Sequence, residues 1–566
     1  YNLGWSKKMQ GDIDGAYDAF FKATWNAAWQ DSGYMGLAQI DMIREDYANG
    51  LDHIDRSLYR NWLNHKGRQL KVSFLRKTGD FAKAEALIND SLAMDKFNMG
   101  CRFESYLIHT LQGNTEAAAA AKAEMKALMR GAVHSYLEYA IDYASAGMYE
   151  EAAQLLSFVT EENEATYPMV YYALGYFASK MGKKDEALNL YKKAETMCPD
   201  YCFPNKLEEV LMLNDAMLLN PEGAKAPYYL GNFHYAARIY DEAITCWEKS
   251  ASIDDTYPTV LRNLSLAYYN KQHNPQKALA TLEKAYNLDT TDARILMELD
   301  QLYKKLRYPH RQRLDFLEAH ADVVEQRDDL CIERITLYNQ LGEYQKAYDL
   351  INSRKFHPWE GGEGKVTSQY LLCRVELAKI AIREGRFDDA IRLLKETEKY
   401  PDNLGEGKLS MAEENDIHYW MGCAYEGLGE EALAKEYFTK ATKGSAEPAI
   451  AFFYNDQQPD KIFYQGLAWR KLGEEDKARS RFNRLIKHGE KHLFDKVKID
   501  YFAVSLPDLL IWDDDLNVRN QIHCNLVMGM GYLGLGDKEQ ARKFLSEVAR
   551  LDINHQAGKQ LLEMCD

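Results

Sequence analysis

The chain has 566 residues, 46% hydrophobic and 28% charged, an ordinary globular balance with room for several domains. Its formal charge of −16 argues against a nucleic-acid binder, whose affinity comes mostly from Lys and Arg neutralising phosphates. No apolar run reaches the roughly 18 residues a membrane span requires, and "LPDLLIW" at 506–512 is typical of the longest.

The first residues already read as helix. "YNLGWSKKMQ" places Leu3 and Gly4 ahead of Ala16 by the step that recurs from Leu174 to Ala187 and from Leu230 to Ala243. The chain is therefore expected to begin inside a first helix, with upstream sequence missing. From there, apolar residues recur at helical period in paired segments separated by a turn. A small residue stands where the two helices of each pair should cross: Ala16, Gly50, Ala84, Ala118, Ala152 and Ala187, each 34 or 35 residues from the last. Ala243, Ala278, Arg313, Ala347, Ala390, Ala434, Ala478 and Ala541 continue the series, and Gly50 and Arg313 depart from its alanine pattern. Gly79, Gly147, Gly182, Gly342, Gly385, Gly429, Gly473 and Gly536 fall in the tight turns, where a positive φ is needed.

This frame resembles the tetratricopeptide repeat (TPR) over nearly the whole chain. The resemblance implies an all-α, right-handed superhelical TPR solenoid of about fourteen helical hairpins, each contacting only its neighbours. We divide it into N-terminal repeats (1–200, the first truncated), central repeats (201–355) and C-terminal repeats with long inter-repeat loops (356–566). "HQAGKQLLEMCD" (555–566) reads as a capping helix with a polar outer side. In such arrays partners bind a groove lined by the first helix of each pair. The helical period puts Tyr172, Tyr176, Tyr228, Asn232, Tyr235, Arg262, Tyr269, Lys304 and Lys305 there. Tyr and Arg suit a protein or peptide partner, because they bury large areas with a polar handle. Packing is the competing reading of the same aromatics. Tyr228 stands where chaperone-tail receptors of this family carry a lysine, which disfavours that partner class.

Beyond Ala347 the crossing residues lie 43, 44, 44 and 63 residues apart, although the step within each pair survives. The extra chain must therefore lie between pairs, as "FHPWEGGEGKVT", "YPDNLGEGKLSMAEEND", "AIAFFYNDQQPDK" and "DYFAVSLPDLLIWDDDL". Insertions at equivalent points of a solenoid project from one edge. The glycines of the first suggest a phosphate loop, but Val366 follows Lys365 where Ser or Thr is required, and no strand precedes it. An ordered docking edge is expected instead, built around His357, Trp359, Glu360, Glu363, Glu406, Asn455, Asp456, Asp460, Asp508 and His523.

With "NQIHCNL" (520–526), these segments resemble the C-terminal half of large bacterial proteins of uncharacterised function. There a TPR array follows an N-terminal β-sandwich of glycosidase or galactose-mutarotase type. The resemblance implies a carbohydrate-related parent and a missing upstream domain. Two functions follow: a non-catalytic scaffold that docks that domain or a protein partner, or loops that complete a glycan-active site shared with it. In the second, Glu360, Glu363, Glu406, Asp456, Asp460 and Asp508 offer the carboxylates. No catalytic residue, cofactor or metal is assigned to this chain on its own. His488 and His492 lack a third ligand, Cys198 and Cys202 read as unrelated thiols, and Asp513 to Asp515 read as helix capping.

Overall fold

The computed structural model describes residues 1–161, 167–359, 361–410, 412–449, 458–498 and 511–565. Among them are thirty-one α-helices, two 3-10 turns and no strand, so the chain is all-α and built of helical pairs, as expected. Fourteen antiparallel pairs carry the fourteen crossing residues, and every turn glycine named above has a φ between 74° and 85°.

The pairing has a simple steric origin. In Met169–Lys180 and Lys184–Glu195, Ala187 is fully buried at the crossing. One turn later Tyr191 fills the space over Gly175, where an added Cβ would lie 2.4 Å from its ring. The same glycine–alanine–large residue triplet recurs as Gly4, Ala16 and Phe20, as Gly231, Ala243 and Trp247, as Gly422, Ala434 and Phe438, and as Gly466, Ala478 and Phe482. The Leu-Gly signature thus marks a socket for a side chain of the second helix, and close packing leaves no room for a methyl group there.

Both departures from the alanine pattern have physical reasons. At Gly50 a Cβ would sit 2.2 Å from the buried ring of Phe74, so alanine does not fit. Arg313 is 1% exposed and donates to Asp300 at 3.0 and 2.7 Å and to Glu333 at 2.7 Å. An extra helix, Leu207–Leu219, accounts for the long step from Ala187 to Ala243 and was not legible in the repeat frame.

Packing divides the chain into two compact units, Tyr1–Val260 and Leu261–Asp566. Each holds seven crossing residues, Ala16 to Ala243 and Ala278 to Ala541. Contacts are not confined to sequence neighbours, contrary to expectation. In the first unit the helix Asn2–Met9 touches Leu207–Leu219. In the second, the Asn554 amide donates to the Lys304 carbonyl at 3.4 Å.

Candidate partner-binding surfaces

In the first unit the expected groove residues separate into two groups. Tyr172 is fully buried, and its hydroxyl donates to Glu195 at 2.8 Å. The other oxygen of Glu195 accepts from the Lys225 amide at 2.9 Å, so this tyrosine ties one pair to the next. Tyr228 is also buried, edge-on to Tyr257 at 5.1 Å. Both are core residues, because stacking of successive pairs covers the side of the first helix that carries them. Tyr176, Asn232 and Tyr235 remain half-buried. Lys180 lies 5.1 Å above the Tyr176 ring, Asn232 accepts from the Trp247 indole at 3.1 Å, and Tyr235 packs on Trp247 at 5.2 Å.

In the second unit the predicted basic and aromatic stripe is filled from within the chain. Arg262 donates to Glu298 at 2.6 Å, and Lys304 pairs with Glu333 at 2.9 Å. Tyr269 meets the indole of Trp512 edge-on at 5.2 Å. Trp512 belongs to the fourth insertion yet is 1% exposed, and its N–H donates to the Glu298 carbonyl at 3.0 Å. The Asn270 amide donates to the Ile511 carbonyl and accepts from the Asp513 amide, both at 2.8 Å. Lys271 faces Asp513 at 3.5 Å and Lys305 faces Asp514 at 3.1 Å. Of the three consecutive aspartates only Asp515 is a helix cap, accepting from the Asn517 amide at 2.8 Å. A cavity of about 660 Å³ adjoins the segment, lined by Tyr269, His273, Leu306, Val497 and residues 513–517.

The C-terminal helix Gln556–Glu563 follows the same course. Its polar residues, expected to face outward, are engaged with the first helices of this unit: Gln556 bonds Gln369 at 2.9 Å, and Lys559 donates to the Gln340 carbonyl.

The first two insertions form a joined edge. The Phe356 amide donates to the Asn403 carbonyl at 2.7 Å, and the Asn403 side chain donates to the carbonyls of Ile351 and Arg354 at 2.9 and 3.0 Å. Glu406 accepts from the Gly364 amide at 3.0 Å, placing a carboxylate at the start of the helix Lys365–Arg383, where the helix dipole favours it. Burial, with a smaller push from Glu363, holds Glu406 above the usual carboxylate range. The Trp359 indole lies so close over Gly362 that an added Cβ would be 2.0 Å away, which answers why glycine stands there. His357 bonds Asp328 through its amide at 2.8 Å.

The third insertion meets the second, because Asp416 closes the second and Lys461 the third. Asp460 pairs with Lys461 at 3.2 Å, and Lys461 also pairs with Asp416. His523 meets the Ala449 carbonyl at 2.8 Å. Glu360, Asn455, Asp456 and Asp508 lie outside the described residues. The described part of the fourth insertion lies on Tyr269 and Asn270. His488 stands 4.6 Å from His492 and 6.0 Å from His523 between ring centroids, but no three-ligand metal set exists among the described residues. Burial and the two neighbouring imidazoles hold His488 down at about 4.

Sequence reasoning missed one surface. Trp25 (73% exposed), Tyr59 (85%), Trp62, Leu63 and Phe97 crowd the turns between successive pairs of the first unit. Two of these turns meet where Asn98 lies 3.2 Å from His65. Exposed apolar patches of this kind mark interaction sites. The signal was present, since Trp25, Tyr59 and Met94 follow the repeat spacing outside the crossing frame.

Comparison with known families finds tetratricopeptide-repeat models at residues 170–201 and 416–443, and a second such model at 462–488. Among solved structures, MamA is 21% identical over 33% of this chain and 95% of its own, with a TM-score of 0.17. The APC/C hetero-tetramer Cut9–Hcn1 is 14% identical over 100% of this chain and 95% of its own, with a TM-score of 0.24. YrrB, described as a TPR protein with an unusual peptide-binding site, is 15% identical over 43% of this chain and 95% of its own, with a TM-score of 0.16. Those three matched segments are tetratricopeptide repeats by their family models, and repeats of this kind imply a protein-interaction scaffold.

Proposed function

We propose that the chain is a non-catalytic scaffold that holds protein partners as extended segments along the first helices of its pairs. The supporting observation is the segment already held there: Ile511 to Asp514, bonded through its backbone by Asn270 and anchored by Trp512. Main-chain bonds supply affinity in this mode, while side-chain pockets supply selectivity. Photo-crosslinking residues placed at Tyr176 and Lys305 are expected to capture a protein partner in cells expressing the chain. An exposed control position on a second helix, Glu431, is expected to capture none. Equal capture at all three positions would refute the reading.

A finer reading makes this chain the C-terminal part of a larger bacterial carbohydrate-related protein, whose other domain docks on the edge built by 351–359, 361–364 and 403–406. The order of that edge supports docking, and the carbohydrate connection comes from sequence resemblance alone. A shared glycan site is less well supported. It needs two carboxylates facing one sugar, whereas Glu406 is engaged by Gly364 and Asp460 by Lys461.

A further inference from the structure

We infer that the groove between Pro258–Asn270 and Ala293–Lys305 selects an extended acidic segment anchored by tryptophan, and that residues 511–514 are its built-in competitor. The inference rests on the scaffold reading and names the partner chemistry and the regulation of that site.

Three side chains of the bound segment, Trp512, Asp513 and Asp514, each meet a recognition element, and the backbone meets another. Trp512 is enclosed and directs its N–H to the Glu298 carbonyl at 3.0 Å, a bond phenylalanine cannot make. Asn270 bonds the backbone on both sides of that tryptophan, at Ile511 and Asp513. Such bonds fix an extended register whatever the side chains are. Lys271 and Lys305 then face two consecutive carboxylates, Asp513 at 3.5 Å and Asp514 at 3.1 Å. The pattern read by the groove is tryptophan, acid, acid, on an extended backbone.

The competitor role follows from where the segment sits in the chain. It is part of an insertion, and the last pair keeps its ordinary step from Met528 to Ala541 without it. Its occupancy of the groove is therefore separate from the folding of that pair. Asp515 caps the helix Leu516–Leu535 directly behind it, so the segment is tethered beside its site at high local concentration. A partner in trans must wait for the segment to leave, and its apparent affinity falls by the fraction of time the groove is open. The adjoining cavity beside Tyr269, His273 and Leu306 gives such a partner further surface from which to displace it.

The test uses the whole chain and a fluorescein-labelled peptide of sequence IWDDDLN, corresponding to residues 511–517. Binding is followed by anisotropy at low and high salt. Trp512→Ala and the milder Asp513→Asn/Asp514→Asn, which leaves the tryptophan in place, are each expected to bind at least about tenfold more tightly than the unaltered chain. Adding Lys271→Ala and Lys305→Ala to the second variant, or replacing the tryptophan of the peptide by alanine, should remove the gain. Three results would overturn the proposal: equal affinity for closed and opened chains, no binding by any chain at millimolar peptide, or equal binding of the alanine peptide. Failure here alongside successful crosslinking at Tyr176 and Lys305 would remove the partner chemistry while leaving the scaffold reading intact.

Discussion

Arg313→Ala restores the residue type that the repeat uses almost everywhere else, and it is expected to be among the most damaging single changes in the second unit. The guanidinium makes three charge-assisted bonds, two to Asp300 and one to Glu333. Glu333 retains Lys304 at 2.9 Å when the arginine is removed. Asp300, 1% exposed, loses its only hydrogen-bonded cation among the described residues. Breaking a buried pair from one side costs about 3–5 kcal/mol, because the surviving charge stays buried without compensation. Burial already pushes Asp300 upward against the pull of Arg313, so in the variant this carboxyl takes up a proton more readily. The penalty is therefore largest near neutral pH and shrinks as the pH falls. Urea unfolding followed by circular dichroism measures it, with hydrogen exchange over 293–340 because the two units need not unfold together. Asp300→Leu/Arg313→Met should recover most of the loss, since apolar replacement of a whole pair is often neutral. An Arg313→Ala cost below about 1 kcal/mol at pH 7 would show that the pair does not hold this crossing together.

Four further outcomes are expected. Ala187→Arg overpacks a closed crossing, which alone costs about 1–3 kcal/mol, and strands a charge as well, so the first unit should melt well below the parent. Tyr228→Ala, in a side chain first assigned to the groove, should cost about 3–5 kcal/mol in thermal unfolding, as truncation of a buried aromatic does. Asn403→Ala removes two bonds to the carbonyls of Ile351 and Arg354; a loss of about 1–3 kcal/mol and faster hydrogen exchange over 351–362 are expected. His488 is held down at about 4, so the folded state binds fewer protons than the unfolded one between there and its usual value near 6.5. Its contribution is complete above pH 6.5 and is lost as the pH falls toward 4, by about 1–3 kcal/mol; His488→Gln should flatten that part of the stability profile.

The helix pairs were legible because their determinants are local. Gly175, Ala187 and Tyr191 meet within one hairpin, their spacing follows from helical geometry alone, and the triplet repeats down the chain. Turn glycines such as Gly182 are equally local, set by one backbone conformation. The contact of Trp359 over Gly362 in the first insertion is local too, between near neighbours in sequence. Which tyrosines face outward was not legible. Tyr172 and Tyr176 lie one helical turn apart, yet Glu195 of the same pair and Tyr229 of the next close over the first, while the second stays half-buried. The filling of the groove was decided further away still. Trp512 reaches Tyr269, and Asn554 reaches Lys304, across more than two hundred residues, because small rotations accumulate from pair to pair until the end of the second unit meets its beginning. A period of 34 residues records what each pair is made of; the sum of those rotations exists only in the folded array.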